Sequence, residues 1–255
     1  MRRSKTLAKI RAGRTVRICN MGHYLPFFVE HAAHFGFDCI WLDAEHRAWE
    51  ARELQALLAH FHRCDIDCML RPPTLEKSRL YRYLEDVAAG LMIPHVSTVE
   101  RARELVQATK FPPLGDRGQD GSGLDNDFYL HGHGDYTDQA NRETFLVVQI
   151  ETPQAVANAE AIAAVEGVDG LFVGPGDLGL RLRHHPDPTL TLDVAYETVA
   201  AAAAKHGKAW GCPASGVEEL KRFRAMGAQL LAHGGEFFAI MNMLKQTGAD
   251  FAQIE

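Results

Sequence analysis

The stretch from Phe145 to Leu178, FLVVQIETPQAVANAEAIAAVEGVDGLFVGPGDL, leaves few folds open. Phe145–Ile150 is a near-continuous apolar, β-branched run, the pattern of a strand buried on both faces of a parallel sheet. It runs into a carboxylate, Glu151. Thr152-Pro153 then reads as a helix start, with Thr as cap and Pro at the first helical position. The Ala-rich segment behind it predicts a helix to about Val165, stopped by Gly167. A second apolar run, Gly170–Val173, is followed by Gly174-Pro175-Gly176 and another carboxylate, Asp177. A strand–helix–strand unit of this kind lays its strands parallel, so both acids leave the sheet at its C-terminal edge. Parallel α/β folds hold their ligands at that edge. Two hard oxygen donors with no Cys or His beside them suit Mg²⁺ or Mn²⁺. The competing reading has Glu151 capping a helix and Asp177 closing a turn; the shared register of the pair favours the metal.

The same rhythm repeats along the chain. Predicted strands at Thr15–Cys19, Cys39–Leu42, Asp67–Leu70 and Leu91–Ile93 alternate with predicted helices at Phe27–Phe35, Trp49–His62, Lys77–Ala89 and from Ser97-Thr98 to before Pro112. A short helix over Leu7–Ala12 precedes them. After Asp177 come a helix at Leu192–His206, strands at Ala209–Cys212 and Leu230–Ala232, and helices from Ser215 to Met226 and over about Phe237–Thr247. Eight strand–helix alternations with short joints over residues 1–255 predict a single (β/α)₈ TIM barrel as one domain. An open doubly wound sheet is the alternative, since it needs no eighth strand. One segment breaks the rhythm. Residues 114–144 are rich in Gly, Asp and His and have little apolar periodicity, which predicts a long loop serving as a lid, an interface arm or a disordered segment. His131-Gly132-His133 within it reads as solvated loop rather than a metal site.

Composition closes off several functions. The net charge of −6 provides no basic footprint for nucleic acid. No apolar run reaches membrane-spanning length, and the basic N-terminus lacks the apolar core of a secretory signal. Five Cys, without C-x-x-C spacing and partly within strands, read as free thiols of a reducing, cytoplasmic compartment.

The predicted strand ends collect Asp43, Glu45, His46, Arg71, His95, Gln149, Glu151 and Asp177. A barrel rim this polar points to an enzyme rather than a binding module. His46 is the best general base, because imidazole titrates near neutrality and Asp43 or Glu45 can fix its tautomer. As one of 13 His, it is also read as a plain surface residue if taken alone. The Arg71 guanidinium suits a carboxylate or a developing oxyanion, or a salt bridge to Glu45 or Glu151. Gly174-Pro175-Gly176 can offer backbone N–H groups to a substrate carboxylate. No Lys lies at a predicted strand end, which disfavours a Schiff base and favours metal-assisted enolisation.

These residues resemble the HpcH/HpaI class II aldolases, which cleave 2-keto-3-deoxy sugar acids and 4-hydroxy-2-oxoheptanedioate. The pieces that carry the resemblance are WLDAEH at 41–46, LRP at 70–72, LMIPHV at 91–96, FPPLGDRG at 111–118, VQIET at 148–152 and GPGDL at 174–178. The resemblance implies a TIM barrel with a domain-swapped C-terminal helix and a homo-oligomer, with a hexamer expected. It implies that Glu151 and Asp177 hold Mg²⁺, Mn²⁺ or Co²⁺. Arg71 would stabilise an enolate oxygen, and His46, positioned by Asp43, would act as acid and base. Gln149 would assist near the metal, and Gly174, Pro175 and Gly176 would hold the pyruvate carboxylate. By spacing to Pro94, Glu85 is the counterpart of a family acid that is usually Asp. The chain also departs from the family pattern after Gly118 and at Ala232–Glu236, which concerns the aldehyde half of the substrate.

The resulting expectation is a carbon–carbon lyase that cleaves a 4-hydroxy-2-oxo acid into pyruvate and an aldehyde. An oxaloacetate-type decarboxylase using the same enolate is the second reading. A non-catalytic binding protein on the same barrel is the third.

Overall fold

A computed structural model describes residues 2–132 and 134–254, so His133 of the long segment lies outside the described residues. Eight parallel strands close into one barrel in sequence order: β1 (Val16–Met21), β2 (Cys39–Asp43), β3 (Asp67–Arg71), β4 (Gly90–Ile93), β5 (Phe145–Ile150), β6 (Gly170–Val173), β7 (Ala209–Pro213) and β8 (Leu230–Gly235). The eighth strand settles the choice between barrel and open sheet. Leu230 of β8 pairs with Gly211 of β7 on one side and with Val16 of β1 on the other.

Strand periodicity divides each run between two environments. Along β5, Leu146, Val148 and Ile150 face the surrounding helices, while Phe145 and Val147 face the barrel interior with Val16, Ile18, Met69, Met92 and Phe172. The base of the barrel is tightly filled. A Cβ on Gly90, which pairs with Phe145, would fall 2.2 Å from that ring, so only glycine lets the ring occupy this layer. Helix α1 (Lys5–Arg11) closes the base. Leu7 joins the interior cluster, and buried Asp67 accepts from the Ser4 hydroxyl at 2.7 Å and the Thr6 N–H at 2.8 Å. Buried cysteines belong to these layers, and burial pushes the Cys19 thiol up to about 12.

The outer layer comprises α2 (Pro26–His34), α3 (Ala51–Arg63), α4 (Lys77–Glu85), α5 (Val99–Thr109), α6 (Tyr136–Glu143), α7 (Pro153–Ala157), α8 (Ala159–Ala163), α9 (Pro175–Leu182), α10 (Leu192–Lys205), α11 (Val217–Ala225) and α12 (Glu236–Phe251). Helix α3 buries Leu54, Leu57, Leu58 and Phe61, the stripe its spacing predicts. Thr152 caps the crossover helix as expected, accepting from the Ala155 N–H at 3.0 Å. That helix is broken, however. The Asn158 side chain donates to the Ser97 carbonyl at 2.7 Å, and the chain restarts as α8. None of the described helices is long and apolar enough to cross a membrane.

Residues 114–144 differ from the expected loop. They contain a 3₁₀ turn (Leu124–Tyr129) and α6, arranged around a buried ion pair. Arg117 donates to Asp125 at 3.0 Å and to the Tyr136 hydroxyl at 3.2 Å, and its guanidinium lies 4.4 Å above the Phe111 ring. This segment joins α5 to β5, so it sits at the N-terminal mouth of the barrel and is no lid over the strand ends.

Candidate active site

Inward-facing parity at the last strand positions determines which side chains meet at the C-terminal mouth. Trp41 and Asp43 of β2, Arg71 of β3, Gln149 of β5 and Phe172 of β6 all share it. With His46, Glu151, Pro213 and the Gly174–Asp177 segment, most of them line a cavity of about 320 Å³. A larger groove of about 540 Å³ lies between α3 and α4, outside the barrel and away from the converging acids.

Arg71 is held rigidly on the β2 side of this cavity. Its Nε and Nη2 donate to Asp43 at 3.0 and 2.8 Å, and its Nη1 reaches Glu45 at 3.0 Å. The guanidinium stacks 4.8 Å from the Trp41 ring. Burial alone would raise the Asp43 carboxyl. The Arg71 hydrogen bonds and charge, with the backbone N–H groups of His46 and Glu45, outweigh burial and hold it below the usual carboxylate range. The partnership differs from the expected one. Asp43 meets His46 only through the backbone N–H, at 3.4 Å, whereas the neighbour of the imidazole is Glu45, 3.5 Å from Nε2. Asp43 therefore orients Arg71, because the tight Asp43–His46 turn leaves its carboxylate beneath the backbone and facing β3. The His46 ring projects into solvent at the cavity edge, with 59% of its side chain exposed.

The opposite wall holds the two acids picked out by the sequence. Glu151 is buried at the end of β5, and one of its oxygens accepts the His95 N–H at 2.7 Å. Burial pushes this carboxyl up. His95 counteracts the shift, while Asp177 and Glu45 add to it. Asp177 was expected on a turn after β6; it lies instead in the first turn of α9, a helix whose Gly-Pro start reads locally as a turn. Arg181, one helical turn on, pairs with Asp177 at 3.4 Å and donates to the Glu151 carbonyl at 3.3 Å, tying α9 to the end of β5. A Cβ on Gly174 would come 2.6 Å from Glu151 Oε2 and 3.4 Å from Gln149 Nε2, so glycine keeps this space open. Gln149 is 1% exposed, and its Oε1 has no partner.

One predicted residue is absent from this constellation. Glu85 ends α4, and helices return antiparallel to the strands, so it sits at the N-terminal mouth of its own barrel. It faces Arg82 at 3.9 Å and the Gly123 region, and burial pushes its carboxyl up, offset in part by Arg117. Conversely, His95 was visible as a strand-end residue without an assigned part. β4 pairs directly with β5, and that adjacency sets its imidazole beside Glu151, with Nδ1 at 3.0 Å from Oε1.

A cation fits this donor set. The carboxylates of Glu151 and Asp177 and the imidazole of His95 each present a ligand atom, all within 4.8 Å of one another. Burial first, and then the charges of Asp177 and Glu45, push the Glu151 carboxyl up, and a bound cation would offset both.

Residues 23–242 match the family model described as HpcH/HpaI aldolase/citrate lyase. The chain belongs to this family. It is 34% identical over 235 residues to a hydroxypyruvate/pyruvate aldolase from Deinococcus radiodurans, covering 89% of this chain and 82% of that protein. It is 36% identical over 216 residues to a 5-keto-4-deoxy-D-glucarate aldolase from Klebsiella pneumoniae, covering 83% and 82% respectively. The crystal structure of an HpcH/HpaI aldolase from Desulfitobacterium hafniense superposes with a TM-score of 0.87 at 30% identity, covering 96% of this chain and 95% of that one. As an HpcH/HpaI protein the chain is an enzyme of the aldolase and lyase kind, and the closed barrel is the fold of the superposed family member.

Proposed function

We propose that this enzyme is a divalent-metal-dependent aldolase that cleaves a 4-hydroxy-2-oxo acid into pyruvate and an aldehyde. One observation carries the reading: two carboxylates, Glu151 and Asp177, share a single cavity with the His46 imidazole and the buried Arg71 guanidinium. The aldolase names of the relatives from D. radiodurans and K. pneumoniae support the same class of reaction.

In this reading Glu151 and Asp177 hold Mg²⁺, Mn²⁺ or Co²⁺, which supplies Lewis-acid polarisation of the 2-oxo acid. The protein supplies the rest. The backbone N–H groups of Gly176 and Asp177, in the first turn of α9, receive the substrate carboxylate. His46, at the exposed edge of the cavity, takes the proton from the 4-hydroxyl. The C3–C4 bond breaks and its electron pair moves onto the 2-oxo oxygen. Arg71, pinned by Asp43, Glu45 and Trp41, sets a positive charge where that negative charge develops. Gln149 offers its unpartnered oxygen to the same cavity. Return of a proton to C3 completes pyruvate. The position of Glu85 in its own chain supports no direct part in these steps.

The assembly belongs to the same proposal. Helix α12 exposes Phe238 at 63% and Leu244 at 59%. A groove of about 420 Å³, lined in part by Ile18, Phe37, Leu220 and Leu231, lies where the eighth helix of a barrel would pack. Exchange of α12 between copies covers both surfaces, and the hexamer implied by the family resemblance extends this pairing. The free cysteines are consistent with a cytoplasmic setting.

The test is pyruvate release by chelated protein, with and without added Mg²⁺, Mn²⁺ or Co²⁺, from a panel of 4-hydroxy-2-oxo acids and from oxaloacetate. Metal-dependent release from a hydroxy-oxo acid is the expected result. Release from oxaloacetate alone would replace the aldolase with a decarboxylase.

A further inference from the structure

We infer that His95 is a third protein ligand to the cation held by Glu151 and Asp177. The inference rests on the metal-dependent reading above and goes beyond the pair of acids that the sequence marks.

The two ring nitrogens of His95 stand beside different acids. His95 Nδ1 stands 3.0 Å from Glu151 Oε1, and the His95 backbone N–H donates to the same oxygen at 2.7 Å. Nε2 points among acids at a different range, 3.8 Å from Asp177 Oδ2 and 3.5 Å from Glu45 Oε1. These separations are too long for good hydrogen bonds. The spacings of the imidazole from Glu151 and Asp177, 3.0 and 3.8 Å, fit donors sharing one ion, since two donors about 2.1–2.2 Å from a metal lie about 3 Å apart when adjacent and about 4.3 Å apart when opposite. Gln149, buried and with Oε1 unpartnered, lines the cavity that Glu151 and Asp177 share, which marks that cavity as built for an occupant.

The backbone is bent to this purpose. His95 has φ +55°, a left-handed conformation that side-chain-bearing residues seldom adopt. Pro94 directs the chain out of β4, and the N–H bond to Glu151 holds the turn. The imidazole is thereby brought over the end of β5, the neighbouring strand in the barrel.

An imidazole donor changes which metals the site prefers. Carboxylates and water suit Mg²⁺, whereas nitrogen strengthens the hold on Mn²⁺, Co²⁺, Ni²⁺ and Zn²⁺. The structure therefore assigns this enzyme a transition-metal preference that the two acids alone do not impose.

The decisive readout is spectroscopic and independent of turnover. Protein loaded with Mn²⁺ is examined by pulsed electron paramagnetic resonance for ¹⁴N coupling, alongside H95N and H95Q. Asn tolerates positive φ, and circular dichroism checks that both variants fold. Wild type should show directly bound nitrogen, and both variants should lose it. Co²⁺ affinity should fall by about tenfold or more in the variants while Mg²⁺ affinity changes by less than about threefold. The other histidine-bearing group of this kind among the described residues is Glu30, His60 and Cys64, on the outer side of α2 and α3; H60N should leave the coupling intact. Mn²⁺ bound without nitrogen coupling in wild type, or coupling that persists in H95N and H95Q, would overturn the assignment while leaving the metal reading in place. Failure of the wild type to bind Mn²⁺ at all would overturn both.

Discussion

Arg71 and Asp43 form a two-point clasp, with Nε and Nη2 at 3.0 and 2.8 Å from the two carboxylate oxygens. The pair is nearly buried, with side-chain exposures of 10% and 8%. Its consequence is fixed orientation. A guanidinium held on one edge by Asp43, on another by Glu45 and on its face by Trp41 has no freedom to follow the substrate, so its charge is in place before any reaction begins.

Asp43→Asn should therefore damage catalysis more than binding. With one anchor lost, Arg71 becomes mobile, and kcat should fall by about 10²-fold. Steady-state kinetics with pyruvate detection checks this, and an unchanged kcat would remove Arg71 orientation from the mechanism.

The same clasp makes a pH prediction. The folded-state carboxyl of Asp43 is held below its unfolded value of about 3.9. Its stabilisation is thus fully present above that value and is lost as pH falls through the lower, folded value. Denaturant melts of wild type and D43N should differ most at neutral pH and converge in acid below about pH 4.

Glu151→Gln should separate stability from function. Burial disfavours the charged carboxylate, with Asp177 and Glu45 adding to the strain, so the neutral isostere should melt at least as high as wild type in chelator. The same variant should lose metal binding by calorimetry and pyruvate release by assay. A variant that melts lower in chelator would mean that the His95 contacts outweigh the burial cost.

Two neighbouring glycines provide a paired test. A Cβ at Gly174 would meet Glu151 Oε2 at 2.6 Å, whereas at Gly176 it meets nothing within 4 Å. Gly174→Ala should displace Glu151 and weaken metal binding about tenfold or more, an effect of the size seen when ligand support is disturbed. Gly176→Ala should leave affinity within about twofold and stability within about 0.5 kcal/mol. Equal effects at both positions would contradict the geometry.

Phe238→Glu combined with Leu244→Glu should dissociate the assembly. Both side chains are exposed on the isolated chain, so charges there cost the protomer little. Light scattering after size exclusion should show a smaller species than wild type. A wild type that is already monomeric would rule out exchange of α12.

Much of the site was legible in the sequence for local reasons. The run into Glu151 and the Gly170–Val173 run before Asp177 each declare a buried parallel strand, and the crossover rule then brings their ends to one edge. Parity along β3 and β5 likewise sends Arg71 and Gln149 inward. The 114–144 segment was illegible because its organising contacts, Arg117 with Asp125 and Tyr136, join polar residues that show no periodicity.

What the sequence determined by itself was the alternation of buried strands and amphipathic helices, and with it the barrel and the edge on which the acids stand. These follow from side-chain period and chain connectivity, which operate within a few residues. Only the tertiary structure decided that Asp43 clasps Arg71 instead of His46, that Glu85 faces the far mouth of its own barrel, and that His95 closes on Glu151. Each depends on which strands become neighbours when the sheet curves shut and on the directions in which the chain then leaves them. Those directions are set by packing between segments distant in sequence, so no local pattern of residues encodes them.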